Sequence, residues 1–438
     1  MKTTTAGDPA LPTPPPRNPW LWVPSLYMAE GIPYIIAMIV SVVLYKRLGI
    51  SNTDIALYTS WLYLPWVIKP LWSPFVEMFR TKRFWIVAMQ VVVGASLACV
   101  ALTIPAPDFF RYTLAMFWIM AFSSATHDIA ADGFYMLGLS QHRQAEFVGV
   151  RTIFYRIATI AAKGGLVILA GHLEAKGWSV ASAWSVAFFL AAAVFASLFL
   201  YHLFVLPYPA VDRPTFQRNS GKVSSEYLHM IALFFRRKDI LAVLAFFLLY
   251  RLAETQLVKM VAPFLLDPRS KGGLGLTTSE LGIIYGTVGA VALMAGGLIG
   301  GYAIARRGLR FWIWPMVLAM HLPDLIFVWL SHAMPENFHL INAAVALEQF
   351  GYGFGFTAYT MYMIMVSEGP YKTVHYAIST GIMALGMMIP AMFSGWLQET
   401  MGYRWFFLWV MLTTLPGFLV VAMVRIDPAF GRNREAAR

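Results

Sequence analysis

Charge is scarce in this chain: Asp, Glu, Lys and Arg make up 13% of its 438 residues, about half the roughly 25% of an ordinary soluble domain. Against 59% hydrophobic residues there is too little polar surface to wrap the apolar mass, so the two or three soluble domains that the length permits are excluded. Cysteine is nearly missing. Cys99 stands alone, which excludes an intrachain disulfide and hence a disulfide-stapled secreted scaffold. The apolar content equally excludes a disordered or collagen-like chain. No Walker A loop is present, so direct use of ATP is not expected, and the absence of HExxH, CxxC and GxSxG leaves no expected catalytic centre, metal site or cofactor. The expectation is an integral membrane protein that is not an enzyme.

What the chain has instead is long apolar runs. Taking about 20 residues as the length that crosses a bilayer, the runs 19–45, 54–78, 84–104, 110–138, 145–172, 179–206, 239–265, 279–304, 311–332, 338–367, 373–398 and 403–425 read as twelve spans. The net charge of +11 is not gathered into a nucleic-acid-binding patch. Of the 33 Lys and Arg, 20 fall at the termini and even-numbered loops, 7 at the opposite face and 6 inside spans. The positive-inside rule therefore predicts both termini in the cytoplasm. A Pro cluster (Pro12, Pro14, Pro15, Pro16) without an apolar core precedes the first span, so no cleaved signal peptide is expected.

The longest polar stretch, 207–238, divides the spans into a six-helix half at 19–206 and another at 239–425, with tails at 1–18 and 426–438. An internal repeat supports the division. Gly49-Ile50-Ser51-Asn52-Thr53-Asp54 returns as Gly275-Leu276-Thr277-Thr278-Ser279-Glu280: a turn glycine, a helix-capping side chain and an acid in the first turn. Ala170-Gly171-His172-Leu173-Glu174 likewise resembles Ser394-Gly395-Trp396-Leu397-Gln398. Two parallel-related halves predict an all-α major facilitator fold with a site between them near the bilayer midplane.

A charge at that depth costs about 2.5–3.5 kcal/mol on insertion scales and needs a partner or a task. Six acids (Glu30, Asp128, Asp132, Glu254, Asp324, Glu348) and six bases (Lys69, Arg151, Arg156, Lys163, Arg251, Lys259) lie inside the spans, and a wet cavity accounts for them. Asp128 and Asp132, four apart on one helix face, either share a proton and couple transport to it or pair with bases and stay ionised. Arg156 suits an anionic solute or one of those aspartates, with pairing slightly favoured. Lys69, among Pro65, Pro70 and Pro74, faces either the cavity or the headgroups. Arg251 and Glu254 are spaced to pair within one helix; His127 reads as a hydrogen-bonded core residue. Glu348 and Gln349, with Tyr352 and Tyr359 on one face, suit a sugar, whose rings offer apolar faces and hydroxyls. A membrane-embedded enzyme is the reading from another class, and the repeated halves argue against it.

Leu64-Pro65-Trp66-Val67-Ile68-Lys69-Pro70-Leu71-Trp72-Ser73-Pro74 resembles the LPYxxKxLWAP segment of AmpG-type muropeptide permeases, and His127-Asp128-Ile129-Ala130-Ala131-Asp132 their QDIxxD motif, shared with related acetyl-CoA transporters. Tyr155-Arg156, Tyr250-Arg251-Leu252-Ala253-Glu254 and Glu348-Gln349 resemble further segments in the same order. The resemblance implies a proton-driven bacterial inner-membrane importer of GlcNAc–1,6-anhydro-MurNAc muropeptides, with coupling carried onto Asp128 and Asp132. Glu30 before Gly31-Ile32-Pro33, His127 for Gln, Glu254 for Asp, and Lys163 depart from the pattern. A siderophore, an acyl-CoA-like anion or an oligosaccharide are the alternative cargoes. The expected partners are thus a small amphiphilic solute, protons and lipid, with no nucleic acid and the chain a monomer. The expected substrate-binding set is Glu30, Lys69, Tyr155, Arg156, Arg251, Glu254, Glu348, Gln349, Tyr352 and Tyr359.

Overall fold

The computed structural model describes residues 17–213, 220–369 and 371–431; most of both expected tails and part of the expected linker lie outside them. The described residues form helices and connecting turns, with no strand among them. The first half comprises α1 (Pro19–Arg47), α2 (Asn52–Trp61, resuming as Leu64–Met78), α3 (Lys82–Thr103), α4 (Phe109–Gly138), α5 (Gln141–Ile160, continuing to Val167–Ala175) and α6 (Val180–Val205). After a helix in the linker (Ser220–Phe235), the second half comprises α7 (Ile240–Leu266), α8 (Thr278–Arg307), α9 (Leu309–Ala333) and α10 (Phe338–Ser367). The run Lys372–Leu412 then breaks at Gly402, whose φ of +74° only glycine adopts readily, dividing α11 from α12; α12 ends with Leu415–Met423. These bounds follow the apolar runs to within a few residues.

The repeated capping motifs start equivalent helices. Ser51 accepts a hydrogen bond from the Asp54 amide, and Thr277 forms a capping box with Glu280. Gly49 and Gly275 precede them at φ +84° and +69°. Prolines set the irregularities: the chain turns after Trp61 and restarts at Leu64, with Pro65 in the first turn and Pro70 and Pro74 inside. Pro33 precedes a π-helical segment, Ile36–Val40.

Among the described residues, eight helical runs are long and apolar enough on their own to cross a membrane, and one of them, Val374–Met423, spans α11 and α12. The remaining runs, α2, α4 and α10, carry the prolines, Asp128 with Asp132, and Glu348 with Gln349. Large apolar side chains stand outward around the bundle, with Leu241 80% and Leu298 75% exposed. So broad an apolar surface belongs in lipid.

Packing repeats between the halves: α1 lies on α5 as α7 lies on α11, and α3 on α4 as α9 on α10. Across the divide, α2 packs on α11 and α5 on α8, two contacts that exchange under the pseudo-twofold. Both are closed by glycine at the end away from the linker. A Cβ on Gly171 would stand 2.3 Å from the Ser279 nitrogen, and one on Gly395 would stand 1.9 Å from the Asn52 carbonyl oxygen. Polar groups tie the same end. Asp267 at the end of α7 receives Lys46 at 2.6 Å and the Tyr403 hydroxyl at 2.6 Å, while the Asn52 amide donates to Glu399 at 2.7 Å. Glu174 accepts from Arg47 at 2.9 Å and from Thr278 across the interface at 2.7 Å. The far end is sealed.

Candidate functional site: a charged cavity between the halves

A cavity of about 880 Å³ runs between the halves from mid-bundle to the linker end, where Met136, Met230 and Val374 line its mouth. Of the residues expected from sequence, Glu30, Lys69, Asp128, Asp132, Tyr155, Arg156, Arg251, Gln349 and Tyr352 line it. Glu254, Glu348 and Tyr359 do not. Glu254 and Glu348 are 0% and 1% exposed and gather with Asp324 behind the lining. Tyr359 is a packed core residue whose hydroxyl donates to the Phe247 carbonyl at 2.8 Å.

The first half supplies most of the charge. Lys69 on α2 forms an ion pair with Asp128 on α4, which places it on the cavity and not at the headgroups. One turn along α4, Asp132 accepts from Arg151 at 2.9 Å and from the Tyr27 hydroxyl at 3.2 Å, with the guanidinium 4.5 Å over the Tyr27 ring. The bases that pair with the aspartates are therefore Lys69 and Arg151. Arg156, favoured for that role from sequence, forms no ion pair among the described residues and stays available on the cavity wall. Arg151 wins because it lies more than a turn nearer the linker end of α5 than Arg156, level with Asp132. Glu30 also faces the cavity, and among the described residues it forms no ion pair and its buried Oε2 has no hydrogen-bond partner.

From the second half, Arg251 sits where α7 loses helical geometry (φ −109°, ψ 17°). That break cancels the three-residue register with Glu254, and Arg251 instead donates to the Tyr352 hydroxyl with its guanidinium 4.7 Å over the Phe356 ring. Lys163, in the π-helical segment Ala161–Leu166, places Nζ 3.2 Å over the Tyr285 ring. Lys259 crosses to α2 and donates to the Thr59 hydroxyl at 2.9 Å. His127 is 2% exposed and hydrogen-bonds Gln90 at 3.0 Å, a core residue as expected.

Sequence reading missed the aromatic wall. Tyr34 meets Trp66 edge-on at 5.1 Å between centroids and Tyr63 at 6.4 Å, and all three line the cavity with Tyr27 and Tyr285. The signal was present in spacing: Tyr27-Glu30-Tyr34 and Tyr63-Trp66-Lys69 each follow one face of a helix. Rings beside guanidinium and carboxylate groups provide apolar faces, anion donors and hydrogen-bond acceptors in one chamber, the combination that binds an amphiphilic polar solute.

Residues 25–376 match the Major Facilitator Superfamily profile. The chain is 24% identical over 417 residues to "Putative transporter AmpG 4" of Rickettsia conorii, covering 90% of this chain and 94% of that one. It is 22% identical over 417 residues to the anhydromuropeptide permease of Escherichia coli, covering 94% and 80%. Among solved structures it resembles a D-xylose–proton symporter (TM-score 0.72, 11% identity, 94% of this chain and 98% of that one) and the nucleoside transporter NupG (TM-score 0.69, 15% identity, 94% and 100%). At such identities the solved structures speak for the fold, while the profile covers most of the chain. The chain belongs to the Major Facilitator Superfamily and is a membrane transporter similar to AmpG-type members.

Proposed function

We propose that this transporter is a proton-coupled importer of an amphiphilic, sugar-containing solute, with GlcNAc–1,6-anhydro-MurNAc muropeptides as the cargo, residing in a bacterial cytoplasmic membrane with both termini inside. The observation that carries the reading is Arg156, without an ion pair among the described residues, on an aromatic-walled cavity. A muropeptide has sugar rings to lie against Tyr34 and Trp66 and carboxylates for Arg156, Arg251 or both. Similarity to an anhydromuropeptide permease along nearly the whole chain supports the same cargo. With the positively flanked loops inside, the sealed end faces outward and the cavity faces the cytoplasm, the state from which cargo is released. The solute binds between halves that rock about the α2–α11 and α5–α8 contacts, as a monomer and without a bound cofactor, the proton gradient supplying the energy.

Uptake of labelled anhydro-disaccharide into proteoliposomes under an imposed pH gradient tests cargo and coupling together. Accumulation that collapses with the gradient is expected, and Arg156→Ala should raise KM about tenfold or more, since a charge-assisted hydrogen bond contributes about 1.5–3 kcal/mol. Uptake indifferent to the gradient refutes coupling; an unchanged KM in Arg156→Ala refutes the anion-binding role.

A further inference from the structure

The acids that the cavity leaves out form a group of their own. Carboxylate oxygens of Glu254 on α7, Asp324 on α9 and Glu348 on α10 lie within 4.8 Å of one another, each residue at most 1% exposed. Among the described residues no lysine or arginine forms an ion pair with any of them. Their hydrogen bonding is uneven. Glu348 accepts from Gln349 Nε2 at 3.0 and 3.3 Å, whereas both oxygens of Glu254 and both of Asp324 have no hydrogen-bond partner. Three ionised carboxylates this close and this dry repel one another at full strength, with nothing to repay their lost hydration.

A second group indicates what resolves the conflict. His321 is 1% exposed, with Nε2 3.1 Å from the Tyr250 carbonyl oxygen, which can only accept, so Nε2 carries a hydrogen. Nδ1 points at Asp324 Oδ2, 3.5 Å away, and has no other partner. If both sites were empty of protons, a lone pair would face a carboxylate. Either Asp324 is protonated toward Nδ1 or His321 is an imidazolium; in both cases a proton lies between them.

We propose that Glu254, Asp324 and Glu348 with His321 form a proton-binding site inside the second half, separate from the Asp128–Asp132 pair. Glu348, supported by Gln349, is the ionised member, and the exchangeable protons reside on Glu254 and between Asp324 and His321. Charged and titratable groups act on the site electrostatically from four helices: Lys163 from α5, Arg251 from α7 with its guanidinium turned to Tyr352, and Tyr285 and Tyr352 from α8 and α10. From α12 it is closed by Gly417 and Phe418, which are apolar. Lys163 belongs to the other half and stands at the α5–α8 crossing, where a Cβ on Gly286 would lie 2.4 Å from the Lys163 carbonyl. Loss of a proton therefore adds negative charge facing a cation of the opposite half and tightens that crossing; gain of one loosens it.

The test needs no substrate, so its outcome is independent of the cargo assignment. Infrared difference spectra of the full chain in lipid nanodiscs, between acidic and alkaline buffers, report protonated carboxyl groups by their C=O stretch. The expected result is a band present at neutral pH that loses part of its intensity in Glu254→Gln and in Asp324→Asn and is shifted but retained in His321→Gln. If Asp324→Asn fails to fold, Glu254→Gln and the His321→Gln shift carry the test. No such band at neutral pH, or one undiminished in both Glu254→Gln and Asp324→Asn, overturns the proposal. So does sodium abolishing the titration, which would identify a metal cation as the occupant.

Discussion

Asp267 holds the sealed end shut, and Asp267→Asn measures how firmly. In the closed arrangement its carboxylate receives Lys46 at 2.6 Å, the Tyr403 hydroxyl at 2.6 Å and Asn52 Nδ2 at 3.4 Å. Lys46 and Asn52 belong to the first half, Asp267 and Tyr403 to the second. The side chains of Lys46 and Asp267 are 14% and 7% exposed, so solvent screens the pair little. Asparagine keeps an oxygen for Tyr403 and removes the charge that holds Lys46. A charge-assisted hydrogen bond contributes about 1.5–3 kcal/mol, and about 2 kcal/mol is a roughly 30-fold change in an equilibrium. Only the closed state loses it, because opening this end hydrates both partners. The substitution should therefore shift the population toward the form open at the far end by roughly that factor. Cys99 is the single native cysteine, so Cys99→Ser with Lys176→Cys and Lys271→Cys permits paired spin labels across the seal. Electron–electron distance distributions should gain a longer component in Asp267→Asn. A distribution identical to that of the parent would refute the reasoning, since the pair would then contribute nothing to closure.

Two other substitutions probe the cavity and the interface. Asp128→Asn leaves Lys69 facing the cavity without its counter-ion and should lower thermal stability by several degrees, with Lys69→Met restoring stability but not gradient-driven uptake; full stability of the single variant would show that the pair contributes nothing. Gly171→Leu drives a side chain into Ser279 and should hold the far end open, read as increased labelling of Thr278→Cys, 1% exposed in the seal, by an impermeant maleimide in the Cys99→Ser background; unchanged labelling would show that the glycine contact is not what seals it.

The fold was legible because lipid imposes a simple rule: apolar length marks each span, and the capping repeats at Ser51 and Thr277 mark equivalent helices in the halves. The site was legible only as an inventory of misplaced charge. Sequence spacing suggests Arg251 with Glu254, but α7 breaks at Arg251 and the two diverge. It suggests Arg156 for the aspartates, yet Arg151 reaches Asp132 because the match is set by depth along α4 and α5, which no single-helix periodicity encodes. The separation of Glu254 and Glu348 from the cavity is likewise a tertiary fact. It depends on Asp324, a residue from a third helix whose neighbourhood in sequence is entirely apolar apart from His321 and carries no motif.

The contrast between scaffold and chemistry bears on how this transporter moves. The sealing contacts obey the pseudo-twofold: Gly171 against Ser279 is repeated by Gly395 against Asn52, each glycine of one half meeting a helix start of the other. The charges disobey it. Glu30, Lys69, Asp128, Asp132, Arg151 and Arg156 come from the first half, whereas the second lines the cavity with Arg251, Gln349 and Tyr352 and keeps its acids out of reach of the solute. A symmetric hinge permits rocking in either direction with similar backbone strain, so the direction must be set by groups that differ between halves. In the proposed reading, solute binding neutralises charge on the cavity wall and proton binding neutralises it behind the second half, and both would act at the same divide, the α5–α8 crossing where Lys163 stands.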